Sequence, residues 1–193
     1  MRSFLQPILV LVTACFIARA FVLAQSPKVG AEIILEVIAT HTTMEREDKY
    51  VYLRVFSDRT AECQASKHSD VENKELPAVK NTLTQDDFIR LKSMVSDPKL
   101  STLGPKYETR YAIVDSSTEW TIKIQRAAGE PQIIRVLEFS PGLAKTMKHP
   151  YPGALVTLGC TIEKLRTDVS GESISLDHEC KKVLGTSKQP KSW

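Results

Sequence analysis

The cysteines are the residues of this sequence with the clearest chemical potential, because a thiolate can act as a nucleophile, bind a metal or form a disulfide. The sequence holds four of them, and Cys15 lies in an apolar N-terminal segment that is typical of an export leader. The other three are Cys63, Cys160 and Cys180. An odd number in an exported chain means that at least one thiol stays free or pairs with another molecule.

Cys160 and Cys180 are the favoured disulfide pair. Cys160 lies about 140° around the helical wheel from Leu155, which points it away from the apolar stripe of its predicted helix. Cys180 lies in a C-terminal tail that needs an attachment. A bond between the two would close a loop of about twenty residues and stabilise the fold by about 3 kcal/mol. A bond between Cys63 and Cys180 is the alternative.

Cys63 is then the unpaired thiol. It falls in a short predicted strand around residues 61–64, where a cysteine usually serves as a small buried apolar side chain. A catalytic or redox thiol would instead need a nearby base and a lowered pKa. The histidines all lie in predicted loops, and the sequence places none of them beside Cys63: His41, His68, His149 and His178.

Other catalytic and ligand-binding patterns are missing from the sequence. No pair of histidines or cysteines has the short spacing of a zinc site, and the dense cluster His178-Glu179-Cys180 lies in the tail. The sequence has no glycine-rich phosphate loop, no G-x-S-x-G motif and no metalloprotease helix motif. We therefore expect no metal and no cofactor, and we favour a protein that is not an enzyme.

The first 24 residues have the features of a secretory signal peptide. Arg2 precedes an apolar run over residues 7–24, and small residues allow cleavage after Ala24 or, alternatively, after Ala20. Arg19 interrupts the run and no second apolar segment follows it, which argues against a membrane-spanning helix.

A lipid anchor is an alternative fate for this leader. Residues 12–15 resemble a bacterial lipobox, in which Cys15 would become the lipid-bearing first residue. We expect an exported protein, periplasmic or extracellular, with a lipid-anchored form as the alternative.

Charge and length limit the remaining classes of function. The 193-residue chain has 26 basic and 23 acidic residues, and loss of the leader with Arg2 and Arg19 leaves 24 basic residues and a net charge of +1. A nearly neutral domain gives no support for nucleic-acid binding, which normally requires a clustered basic surface. The remaining chain is long enough for one domain with its own core. We expect that domain over residues 25–170, followed by a partly disordered tail over residues 171–193.

Two strands folded back on each other, within residues 119–139, are the centre of the predicted fold. Trp120, Ile122 and Ile124 alternate with polar residues, as in a strand with one buried face. A loop with glycine and proline follows, and the return strand from residue 133 is apolar enough to lie inside a sheet.

Two helices complete the predicted domain. Thr84 is an N-cap for the first, over residues 85–96, and Asp87 completes a capping-box pattern. The second helix starts near Pro152 and has an apolar stripe along one side. The order of elements predicts an α+β domain in which both helices pack on one face of an antiparallel sheet of about five strands.

Tyr50 and Tyr52 are the candidate binding residues. In the strand over residues 50–56, strict alternation puts them opposite Val51 and Leu53, on the second face of the sheet. A partly exposed aromatic face is suited to binding a partner. The alternative is that a loop or the tail covers this face.

Three short motifs carry a resemblance: YVYLRVF at residues 50–56, DRTAEC at residues 58–63, and Leu83-Thr84 at a helix start. Together they resemble a family of exported bacterial domains that is named only as a domain of unknown function. The family has a glycine in the turn where this sequence has Arg59. The resemblance implies the export and the α+β layout, and it brings no catalytic residues with it.

The sequence thus predicts an exported, non-enzymatic α+β domain that binds a protein or a component of the cell envelope. The alternative function is a thiol-dependent enzyme or redox protein that uses Cys63.

Overall fold

A seven-stranded mixed sheet and five helices make up the part of the chain that this computed structural model describes, which comprises residues 30–64, 77–108, 115–126, 129–145, 150–172 and 176–185. The chain divides into the units Met1–Gly30 and Ala31–Trp193, and every element lies in the second. The strands are β1 (Ile33–Thr43), β2 (Glu47–Phe56), β3 (Thr60–Gln64), β4 (Ala78–Thr82), β5 (Lys106–Glu108), β6 (Ser116–Ile124) and β7 (Gln132–Leu137). The helices are α1 (Gln85–Val95), α2 (Pro98–Ser101), α3 (Pro141–Ala144), α4 (Gly153–Ser170) and α5 (His178–Gly185).

The strand order is β4-β3-β2-β1-β6-β7-β5, and all neighbours are antiparallel except β5 and β7. The predicted α+β class is confirmed. The prediction of about five antiparallel strands and two helices was wrong in detail, because the sheet has seven strands and the described residues form five helices. Strand β5 has three residues, which is too short to show an alternating pattern. Helices α2 and α3 are single turns, and α5 lies in what the sequence predicted to be a tail.

The predicted hairpin is confirmed as β6 and β7, and β7 lies inside the sheet between β6 and β5. The predicted N-cap of α1 is also confirmed, since Thr84 Oγ1 accepts from the Asp87 amide at 3.2 Å and donates to Asp87 Oδ2 at 2.8 Å. The predicted leader, including its cleavage sites and Cys15, lies outside the described residues.

One face of the sheet and the helices enclose a single core. Helices α1, α2 and α4 contribute buried side chains to it, and α5 packs against α4. From β1 the core takes Leu35, Val37 and Ala39, all fully buried. Because side chains alternate along a strand, their neighbours Glu36 and Ile38 point to the other face.

A β-bulge interrupts this alternation in β2. Val37 pairs with Leu53 but the next residue, Ile38, pairs with Val51, so Tyr52 is an extra residue on the β2 side. A bulge of this kind changes which face later side chains occupy. Tyr52 and Leu53 therefore both lie on the core side, as does Tyr50 opposite Ala39. The prediction that Tyr50 and Tyr52 lie on the second face of the sheet was wrong, because the sequence has no signal for the bulge.

Helix α4 approaches the sheet closely at Gly159. The ring of Phe139 lies directly against this position and stacks on Trp120 with a centroid distance of 5.0 Å. A side chain on Gly159 would overlap the Phe139 ring, so the missing Cβ is what lets the two approach.

Gly159→Ala should destabilise the fold by about 1–3 kcal/mol, because the added methyl group overpacks the contact with Phe139. Gly153→Ala in the same helix is the matched control, since no atom lies within 4 Å of its missing Cβ. The control should be as stable as the wild type or more so, because alanine favours helix. Urea unfolding measures both, and equal stabilities for the two variants would contradict the assigned packing.

Candidate functional site

The face of the sheet turned away from α4 is the candidate functional surface, and we call it the open face. Among the described residues, no helix contributes to it. Its side chains are those that alternate with the buried core residues of each strand. They include Glu36 and Ile38 of β1, Arg54 of β2, and Lys123 of β6.

Five charged residues of alternating sign cross the open face in one row, one from each of five neighbouring strands. Lys80 Nζ lies 3.1 Å from Glu62 Oε2, and Glu62 Oε1 lies 2.5 Å from Arg54 Nη1. Arg54 Nη2 lies 2.7 Å from Glu36 Oε1, and Glu36 Oε2 lies 2.9 Å from Lys123 Nζ. We call this row the charge ladder.

The charge ladder is held together by sharing of both carboxylates. The side chains of Glu62 and Glu36 are only 9% and 14% exposed, so their partners shield them from water. Burial alone would raise the pKa of Glu36, but hydrogen bonds from Lys123 and Arg54 outweigh it and hold that pKa below its usual range. A shared network restricts each side chain, so the open face is preorganised.

Beside the ladder lie apolar side chains and a free cation. Ile133 of β7 is opposite Lys123 and is 46% exposed. Ile38 and Val51 form a half-buried pair, and Thr121 connects them across the sheet to Arg135. Arg135 is exposed and makes no ion pair with any of the residues that the structure describes.

A second polar group lies on the opposite, core side, beneath α4. Arg166 is 2% exposed, and its Nη1 donates to the carbonyls of Tyr52 at 2.9 Å and of Gln64 at 3.0 Å. Its guanidinium lies 4.3 Å from the centre of the Tyr52 ring. Tyr52 in turn is hydrogen-bonded to Glu163. Burial raises the pKa of Glu163, against the opposing effects of the Tyr52 hydrogen bond and the Arg166 charge.

The two tyrosines are therefore poor candidates for the exposed binding surface that the sequence predicted. Tyr52 is buried in the core, and Tyr50 is half-buried with its ring 6.4 Å from that of Tyr52. Burial raises the pKa of both phenols. Their role in this structure is packing beneath α4.

Cys63 is unpaired, as expected, and it is 1% exposed. Burial raises the pKa of its thiol, which is the opposite of what a nucleophilic cysteine needs. Of the four histidines, His41 Nδ1 lies 3.1 Å from Thr118 Oγ1, and His178 is exposed at the start of α5. His68 and His149 lie outside the described residues. The surroundings of Cys63 therefore lend no support to a catalytic thiol.

The favoured disulfide is present between Cys160 of α4 and Cys180 of α5, with an S–S distance of 2.06 Å. Cys160 points away from the sheet, as the helical wheel predicted, but it is fully buried because α5 covers it. The bond therefore holds α5 against α4 and gives the predicted tail a fixed structure over eight residues.

No group of three or more potential metal-binding side chains occurs among the described residues. None of the helices in the same ranges has the length and apolar composition needed to cross a bilayer.

The sequence matches no protein-family model and is similar to no curated protein. The resemblance to exported domains of unknown function therefore stays an expectation. Arg59, at the position of the family's turn glycine, has a φ of 73°. This left-handed backbone conformation is the one that glycine adopts most readily.

Glu163 and Glu36 should have opposite effects on the pH dependence of stability. The pKa of Glu163 is raised on folding, so its stabilising contribution is present below about pH 4.3, the unfolded value, and is lost as pH rises through the folded pKa. The pKa of Glu36 is lowered, so its contribution is present above about pH 4.3 and is lost as pH falls through the folded pKa.

Urea unfolding of Glu163→Gln, Glu36→Gln and the wild type across this pH range tests the assignment. The stability of the wild type relative to Glu163→Gln should fall as pH rises, and its stability relative to Glu36→Gln should rise. If both differences in unfolding free energy changed with pH in the same direction, the environment assigned to Glu163 or to Glu36 would be wrong.

Proposed function

We propose that this protein is an exported, non-enzymatic module that binds another protein of the cell envelope through its open face. The observation that carries the proposal is the one-sided covering of the sheet. Among the described residues, helices cover one face, whereas the other presents the charge ladder beside the exposed Ile133 and the half-buried Ile38 and Val51. Ordered polar groups around an apolar centre are typical of protein interfaces.

The free side chains on this face indicate the chemistry of the partner. Arg135 has no ion pair among the described residues, and arginine is enriched at the energetic centres of protein interfaces. Ile38 and Ile133 provide apolar contact area on adjoining rows. A complementary partner surface would place a carboxylate opposite Arg135 and apolar side chains beside it.

Export is part of the same proposal. A disulfide is retained in oxidising compartments and is rare in the reducing cytosol, so the Cys160–Cys180 bond supports the exported location that the leader predicts.

Site-specific photo-crosslinking in cells that naturally make the protein tests the interface. A benzophenone side chain at Thr121, between Ile38 and Arg135, should give an adduct of defined mass with another protein. The matched control is the same probe at Ile89 on α1, which is 54% exposed on the helical side and should not give that adduct.

Arg135→Glu should abolish the adduct formed from position 121, because it places a carboxylate where the partner's carboxylate is proposed to lie. An adduct from neither position, or the same adduct from both, would overturn the proposed surface.

A further inference from the structure

A second candidate site is a cavity of about 390 Å³ between α3, the start of α4, and α5, and it shares no lining residue with the open face. Its inner wall is apolar and includes Pro141, Val156 and Val183. Tyr151 completes this wall, and its ring is held in place by parallel stacking on Phe139 at a centroid distance of 6.0 Å. The cavity is within the range typical of small-molecule sites, at its lower end.

The mouth of the cavity carries more positive than negative charge. Lys145, Lys182 and Glu179 line it, and Lys145 is ion-paired with Glu179. Lys182 has no ion pair with any residue in the described ranges, which leaves a net charge of +1 among these three groups. Lys145, with smaller contributions from Lys182 and His178, holds the pKa of Glu179 below its usual range.

The start of α4 adds to this positive potential. Pro152 supplies no side-chain cap, and the first turn contains no acidic residue to offset the helix dipole. Gly153 lines the cavity, and no atom lies within 4 Å of its missing Cβ, so a ligand can approach the backbone there.

The cavity on the other side of α5, of about 420 Å³, differs in charge. It is lined by both Arg90 and Asp97, whose charges balance each other. The cavity beside Tyr151 therefore differs from this neighbour in the charge at its mouth.

We propose that this cavity binds a single-chain amphiphile with one negative charge, namely a fatty carboxylate. The chain packs against Val156, Val183 and the Tyr151 ring, and the carboxylate lies at the mouth near Lys182 and Gly153. One chain matches the volume, since a lipid with two chains needs a larger cavity. One negative charge is complementary to Lys182, the lining cation that has no ion pair among the described residues. The protein would then bind a lipid-derived ligand at a site separate from the open face.

Calorimetric titration of the purified protein with decanoate tests this proposal. Decanoate should bind with a stoichiometry of one, whereas acetate, which lacks the chain, and decyltrimethylammonium, which has the opposite charge, should not bind measurably. Lys182→Glu should weaken decanoate binding at least tenfold. Lys181→Glu is the matched control, because Lys181 is also exposed but does not line the cavity, and this variant should bind decanoate like the wild type.

Three results would overturn the proposal: no saturable binding of decanoate, equal loss of binding in the two lysine variants, or binding of decyltrimethylammonium as tight as that of decanoate. None of them bears on the open face, whose crosslinking test uses different residues.

Discussion

The sheet has one face covered by α4 and one open face, and this difference depends on the burial of Arg166 between α4 and the sheet. One guanidinium nitrogen donates to the carbonyls of Tyr52, at the bulge within β2, and of Gln64, the last residue of β3, and the guanidinium lies over the Tyr52 ring. Removing it would take the side-chain donor away from the buried carbonyl of Tyr52, at a cost of about 1–3 kcal/mol. Arg166 thus fixes α4 over the β-bulge and keeps Tyr52 on the core side.

The open face follows from this arrangement. Because the bulge turns an additional aromatic residue toward α4, the other side of β2 presents Val51 and Arg54. Arg54 then stands between Glu36 and Glu62 and becomes the centre of the charge ladder. The ion pairs at the centre of the ladder are partly buried, and the cost of removing their charges from water offsets much of their attraction. The ladder is therefore better explained as a fixed pattern for recognition than as a source of stability.

The sequence predicted the features that depend on local patterns, and missed those that depend on strand register. The Thr84 cap, the β6–β7 hairpin and the Cys160–Cys180 pair follow from short spacings along the chain. The bulge at Tyr52 adds one residue to β2 but leaves no mark in the amino-acid composition of the strand. Simple alternation of side chains therefore placed Tyr50 and Tyr52 on the wrong face of the sheet. The charge ladder joins five strands, and its members are recognisable only once all four registers are known.

Hydroxyl-radical footprinting of the purified protein tests most directly which face of the sheet is exposed. Ile133 on the open face should be modified rapidly and Tyr52 almost not at all, although a phenol is intrinsically the more reactive group. If Tyr52 were modified as rapidly as Ile133, the bulge and the covering by α4 would be wrong, and the tyrosines would again be candidates for the binding surface.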